Sequence, residues 1–290
     1  MGMTLMEQPA PKVGSLEELT ANTASLISLP EIYLKFKQLM DDEASDIQDF
    51  ARVVTMDPNL TGVVLKVINS PLYGFSGQIH AIDRAINLMG LGQLHDLVLA
   101  LSAVDAIRIG NDIEQIKTFW QRSIYCGVMA RLLAQHLNLR DPAGLFVIGL
   151  LHEIGRILVF IKHPEAARAA IIDARQHACP LASSEGRIFG YHYGDIGAQL
   201  MADWNLPVKF HTVIGQHLDP IRSSEHYAEA ALLGLSHKMA TFARPGIEPY
   251  HYTEGELGLD HLKIDAADLE ALLPEVEKLS IEMESMIIKN

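Results

Sequence analysis

Gly149-Leu150-Leu151-His152-Glu153-Ile154-Gly155-Arg156-Ile157-Leu158 sets an imidazole and a carboxylate side by side inside an apolar run. The surrounding segment, Leu145 to Ile161, has the length and composition of a helix, and the pattern predicts one buried apolar helix. His152, Glu153 and Arg156 interrupt its centre. Each charge there would cost roughly 2.5–3.5 kcal/mol in lipid, so the segment reads as a protein core and not as a membrane span. Burying an unpaired carboxylate costs several kcal/mol or forces its protonation, so Glu153 demands a partner. His192, His217 and His237, each in a short apolar-flanked segment, are the candidates downstream. Neutral imidazole nitrogens with an oxygen anion suit a divalent metal such as Fe, Mn, Zn or Ni. A chain with thirteen histidines also places several on helices by chance, and hydrogen-bonded core histidines explain the same pattern.

Outward from that string the pattern stays helical. From Leu29 onward apolar residues recur at helical spacing, and runs of β-branched and aromatic residues with period two are missing, which predicts an all-α fold. Helices are expected through Tyr33–Met40, after Asp41 and Asp42 through Ile47–Val54, and from Asp57-Pro58 to Asn69-Ser70, where Ser70 before Pro71 leaves the α region. Tyr73-Gly74-Phe75 reads as a loop, and Gly90-Leu91-Gly92 divides Ile82–Leu88 from Leu94–Ile107. Asn111-Asp112 is expected to be a turn and a seam. Beyond it, Trp120, Ile124, Val128 and Leu132 form one stripe that should face the core. Further helices are expected near Pro164–Gln176, through Ile196, Leu200 and Trp204, from Pro207 through Val213, and over Tyr227–Phe242. Arg244-Pro245-Gly246 ends the last of these, and Ala266 to Ile288 reads as two amphipathic pieces. Residues 1–20 show no periodicity and read as a flexible leader.

The 290 residues are 49% hydrophobic, enough to build a substantial core. A formal charge of −13 with no basic cluster argues against a sequence-independent grip on nucleic acid, which requires neutralising phosphates with Lys and Arg. Cys126 and Cys179 lie in apolar stretches at no metal-like spacing and read as core thiols of a reducing compartment. No basic region followed by an apolar run stands at the N-terminus, which predicts no signal peptide and a cytoplasmic location.

Leu-Leu-His-Glu-Ile-Gly-Arg resembles the Leu-Leu-His-Asp-Ile-Gly-Lys signature of the HD superfamily of metal-dependent phosphohydrolases. The ordered motifs from Leu26 to Phe242 narrow the resemblance to the HDOD family, the HD-related output domain of bacterial signalling proteins. These are Leu29-Pro30, Asp57-Pro58-Asn59-Leu60, Asn69-Ser70 with Tyr73-Gly74, Ala85-Ile86 with Leu88 and Gly90, and Trp120 with Ser123. The His152 string follows, then Glu185, Gly190, His192 and Gly197, then Trp204-Asn205-Leu206-Pro207 and His217. The resemblance implies an HDOD domain over 21–244, with an N-terminal helical lobe over 21–110, an HD-like lobe over 112–244 and a helical tail over 245–290.

It also implies a degenerate metal site. His152, Glu153, His192 and His217 match ligand positions, and His237 stands where the late aspartate belongs. Arg122 replaces the first histidine, Gln216 replaces one of the paired histidines of the HD-GYP branch, and no Gly-Tyr-Pro segment follows His217. A guanidinium cannot ligate a metal. Arg122 is expected at the edge of the cavity, and the physical alternative is an Arg122–Glu153 pair, surrounded by histidines, that fills the old metal cavity. No catalytic residue and no required cofactor are expected, although the degenerate site leaves room for a divalent Fe, Mn, Ni or Zn. The resemblance implies a non-catalytic regulator or scaffold that binds other signalling proteins. The alternatives are a metal-dependent phosphohydrolase and, with less support, a cyclic-dinucleotide or nucleotide sensor.

Overall fold

The computed structural model of the chain describes residues 14–21, 31–108 and 113–288, and among them there is helix and no strand. The elements are α1 Leu16–Ala21, α2 Glu31–Met40, α3 Ile47–Thr55, α4 Pro58–Ile68, α5 Ile82–Met89, α6 Leu91–Arg108, α7 Ile113–His136 and α8 Pro142–Leu151. They continue with α9 Ile154–Lys162, α10 Pro164–His177, α11 Leu181–Phe189, α12 Tyr193–Asp203, α13 Val208–Gln216, α14 Tyr227–Ala243, α15 Leu259–Leu262 and α16 Ala266–Ile287. Leu29, Pro30, Asn111 and Asp112 lie outside the described residues.

The family-like motifs are first of all stop and start signals. Asp57 caps α4, its carboxylate accepting from the Asn59 and Leu60 amides, and Pro58 takes a position whose missing N–H costs nothing. Asn69 ends the helix and ties down the following loop, since its side chain donates to the Ile79 carbonyl and accepts from the Ile79 amide, both at 2.7 Å. Asp46 caps α3, with Asp49 completing a capping box. The cap is thus Asp46, four residues beyond the Asp41-Asp42 pair that precedes this helix in the sequence.

Helix α7 is the axis of the remainder. The stripe of Trp120, Ile124, Val128 and Leu132 is buried, and α8, α14 and α16 all pack on this helix. The approach to α8 is close: a Cβ on Gly149 would lie 2.5 Å from the Gly127 Cα, so both positions accept only glycine. Helices α2–α6 pack among themselves and meet the rest through α6 on α7 and α8 and α4 on α16, and one hydrophobic core runs from Leu19 to Ile287.

Five expectations need correction. The apolar segment is two helices, because the chain turns at His152 and Glu153 between α8 and α9. The stretch Pro142–Lys162 is long and apolar enough to cross a membrane, yet most of it is buried inside the protein. The end of the supposed leader forms α1, with Leu19 buried and the helix packed on α12. The last segment is one helix running through Pro274, held by Leu269 before the proline and by Val276, Leu279, Met283 and Ile287 after it. Leu181–Phe189, for which the pattern predicts no helix, is α11. Of the two thiols, Cys126 is buried and Cys179 only half-buried, beside Ser184 and Arg187.

Candidate functional site: a buried histidine and arginine cluster

The turn between α8 and α9 aims both of its side chains inward. His152 and Glu153 are fully buried, as are Arg122 on α7 and Arg156 on α9. Arg122 grips Glu153 with two parallel bonds, Nε to Oε2 at 2.6 Å and Nη2 to Oε1 at 2.9 Å, a geometry that lysine could not supply. Its remaining Nη1 donates to the Pro245 carbonyl. Arg156 adds a third donor to Glu153 Oε1 and sends Nε to Glu185 of α11 at 2.8 Å. The other Glu185 oxygen accepts from the Tyr193 amide. The Arg156 guanidinium lies 3.9 Å from the centre of the Tyr193 ring, a cation–π contact in a dry interior.

A third carboxylate completes the charges. Glu248 accepts from the Leu181 amide and stands 3.9 Å from Arg156. Burial alone would raise Glu153, but Arg122 and Arg156 outweigh it and hold the carboxyl down at about 2. Burial dominates at Glu248, whose pKa is raised despite Arg156.

The histidines form a second, neutral layer. His152 Nδ1 donates to the Gly149 carbonyl at 2.7 Å and His217 Nδ1 to that of Ile214 at 2.6 Å, which leaves the Nε2 of each as an acceptor. The Tyr193 hydroxyl then donates to His217 Nε2 at 2.7 Å, and His237 Nδ1 donates to His152 Nε2 at 3.0 Å. These tautomers are assigned from the carbonyls. Burial lowers His152 to about 4 and carries His217 and His237 well below the usual histidine range, so all three are neutral at pH 7.

The structure thus brings together His152, Glu153, His217 and His237, with Arg122 against Glu153. It does not bring in His192. That ring is the N-cap of α12, where Nδ1 accepts from the Gly194 and Asp195 amides and Asp195 answers by accepting from the His192 amide. Gln216 precedes His217 at the end of α13, and its Oε1 is buried without a partner. Tyr193, Glu185 and Glu248 were not foreseen as members. The signal available was charge: two arginines facing one Glu153 in an apolar interior require a second acid.

Ligand atoms of His152, Glu153 and His237 lie within 4.8 Å of one another, so a His/Glu cluster of metal-binding type is present. The donors do not fit an ion in this arrangement. Both Glu153 oxygens are taken by guanidinium groups, and the lone pair of His152 Nε2 receives His237. Arg122 and Arg156 would also set two fixed positive charges beside the cation.

Comparison with known proteins places the chain. The HDOD domain family profile matches residues 26–220. A solved structure from Shewanella amazonensis SB2B, provisionally named a phosphohydrolase, is similar at 24% identity and TM-score 0.70, covering 93% of this chain and 97% of that one. An HDOD domain protein of unknown function from Geobacter sulfurreducens is similar at 22% identity and TM-score 0.68, covering 93% and 96%. A chain from Marinobacter aquaeolei VT8, provisionally named a signal transduction protein, is similar at 22% identity and TM-score 0.66, covering 96% of this chain and 62% of that one. At such identities the likeness speaks for the shared fold. An uncharacterized protein of Treponema pallidum (strain Nichols) is 24% identical over 208 residues, so the match spans 69% of this chain and 39% of that relative. The all-helical architecture and a profile match over 26–220 have one conclusion: this chain belongs to the HDOD domain family.

Proposed function

We propose that the chain is a non-catalytic regulator or scaffold of bacterial signal transduction, acting by binding other signalling proteins through its HDOD domain. The observation that carries this reading is the two-pronged bond from Arg122 to Glu153. Metal-assisted hydrolysis needs an open coordination position for activated water and a free carboxylate, and here the carboxylate serves an ion pair between helices. An Arg–Glu–Arg–Glu chain linking α7, α9 and α11 is suited to fixing helix register, which a binding surface requires.

A metal-dependent phosphohydrolase is the second reading, supported by the proximity of His152, Glu153 and His237 and by the neutrality of the histidines. The separating assay supplies Mn, Fe or Ni with a generic phosphodiester and compares the wild type with His152→Ala and Glu153→Ala. An equal background rate in all three proteins is the expected result. Turnover in the wild type that both substitutions abolish would establish the phosphohydrolase instead.

A further inference from the structure

After α14 the chain leaves helical structure and crosses the buried cluster before α15 begins. This crossing lies C-terminal to the matched residues 26–220. It reaches the cluster at three points. The Pro245 carbonyl takes Nη1 of Arg122, Glu248 binds the Leu181 amide and faces Arg156, and Tyr252 is buried close enough to Glu248, Arg156 and Glu153 to feel their charges. Two left-handed glycines stand near its ends, Gly246 at φ 53° directly after Pro245 and Gly258 at φ 76° just beyond Glu256. Between them, residues 249–253 have no regular secondary structure, and a short 3-10 turn, Glu254–Glu256, follows. Lys238 of α14 holds the far end, donating to the Glu256 carbonyl.

We propose that residues 245–256 are a hinged strap that closes the histidine and arginine cluster, and that lifting it uncovers His217, His237 and the two arginines while the helices stay folded. The grips differ in kind from those inside the cluster. Glu153 is held by three charge-assisted bonds, whereas Glu248 has one backbone amide and an arginine 3.9 Å away. A segment with little regular hydrogen bonding between two glycine hinges opens at a fraction of the global unfolding free energy. Release of the strap therefore changes the solvent exposure of the cluster without unfolding the domain.

The test joins hydrogen exchange with histidine carbethoxylation, both read by mass spectrometry on the full chain. In the wild type, amides of 247–253 should exchange at least about tenfold faster than those of α14, as expected of a local opening. Glu248→Ala with Tyr252→Ala should raise modification of His217 and His237 by about tenfold or more over wild type, with exposed His80 and His177 unchanged and the melt still cooperative. Unchanged rates at His217 and His237 overturn the proposal, as does a strap that exchanges as slowly as α14. Should the double variant not fold, the wild type decides. In urea below its unfolding transition, modification of His237 should follow strap exchange, and modification that follows only global unfolding rejects the strap.

Discussion

Along the line where α7 meets α8 and α9, two contacts one to two turns apart are built on opposite principles. At Gly127 and Gly149 the helices touch backbone to backbone, with no side chain between them. At Arg122 and Glu153 they are held apart by two long side chains and joined by charge. The first contact is intolerant of added volume, and the second is intolerant of a missing partner. A single helix pair thus has its distance fixed by shape and its register fixed by charge.

The largest expected effect tests the first half of that contrast. Gly149→Val places branched carbons against the Gly127 backbone, where no rotamer relieves the clash, and should cost at least about 5 kcal/mol, leaving no folded protein by circular dichroism. Retention of a cooperative melt would show that the helices can separate. Next, Arg122→Met should cost about 3 kcal/mol in urea melts, because it removes two of the three charge-assisted bonds of a buried carboxylate and leaves it to Arg156 alone. Combining it with Glu153→Leu should recover about 2 kcal/mol or more of that loss, whereas additive costs would mean that the pair is not a unit.

Trp204→Ala removes volume instead of adding it. Trp204 is 9% exposed and ends α12 before Pro207 opens α13, so a loss of about 3 kcal/mol is expected, while a loss under about 1 kcal/mol would mark a side chain that the core does not use. The smallest effect, counted per titrating group and pH unit, is in pH. The folded pKa values of His152, His217 and His237 lie below 6.5, so the unfolded chain binds more protons and their stabilisation is complete above that pH. It should fall as pH drops from 6.5 toward 4, by roughly 1.4 kcal/mol per pH unit for each histidine. Glu153 works in the lower window: its contribution is present above 4.5 and lost as pH falls through about 2. Melts that stay flat between pH 7 and 4.5 would mean that the histidines are solvated.

Most helix limits were legible because the ends carry their own chemistry, as at Asp57-Pro58 and Asn69-Ser70. The break at His152 was not. His152 keeps helical angles, φ −60° and ψ −30°, and Glu153 departs only modestly, so apolar periodicity runs through the turn unbroken. Arg122 opposite Glu153 could be read from the motif order, since a cation in a ligand's position needs an anion. His192 could not be placed, because a histidine that caps a helix and one that lines a cavity look alike in a string. Glu248 was hidden for another reason. It is on a segment with no periodicity, and only the unbalanced charge of Arg156 pointed to it.

The position of α16 bears on how the protein is made. Its partner α7 is complete long before Ala266–Ile287 is synthesised, and the buried face that Val276, Leu279 and Met283 cover has nothing to pack against in the interval. A fragment cut at the family boundary of residue 220 would carry that same bare face permanently, together with an Arg156 deprived of Glu248. On the ribosome, α7 therefore gains this cover only when α16 emerges, and a fragment that keeps this packing extends to the end of α16.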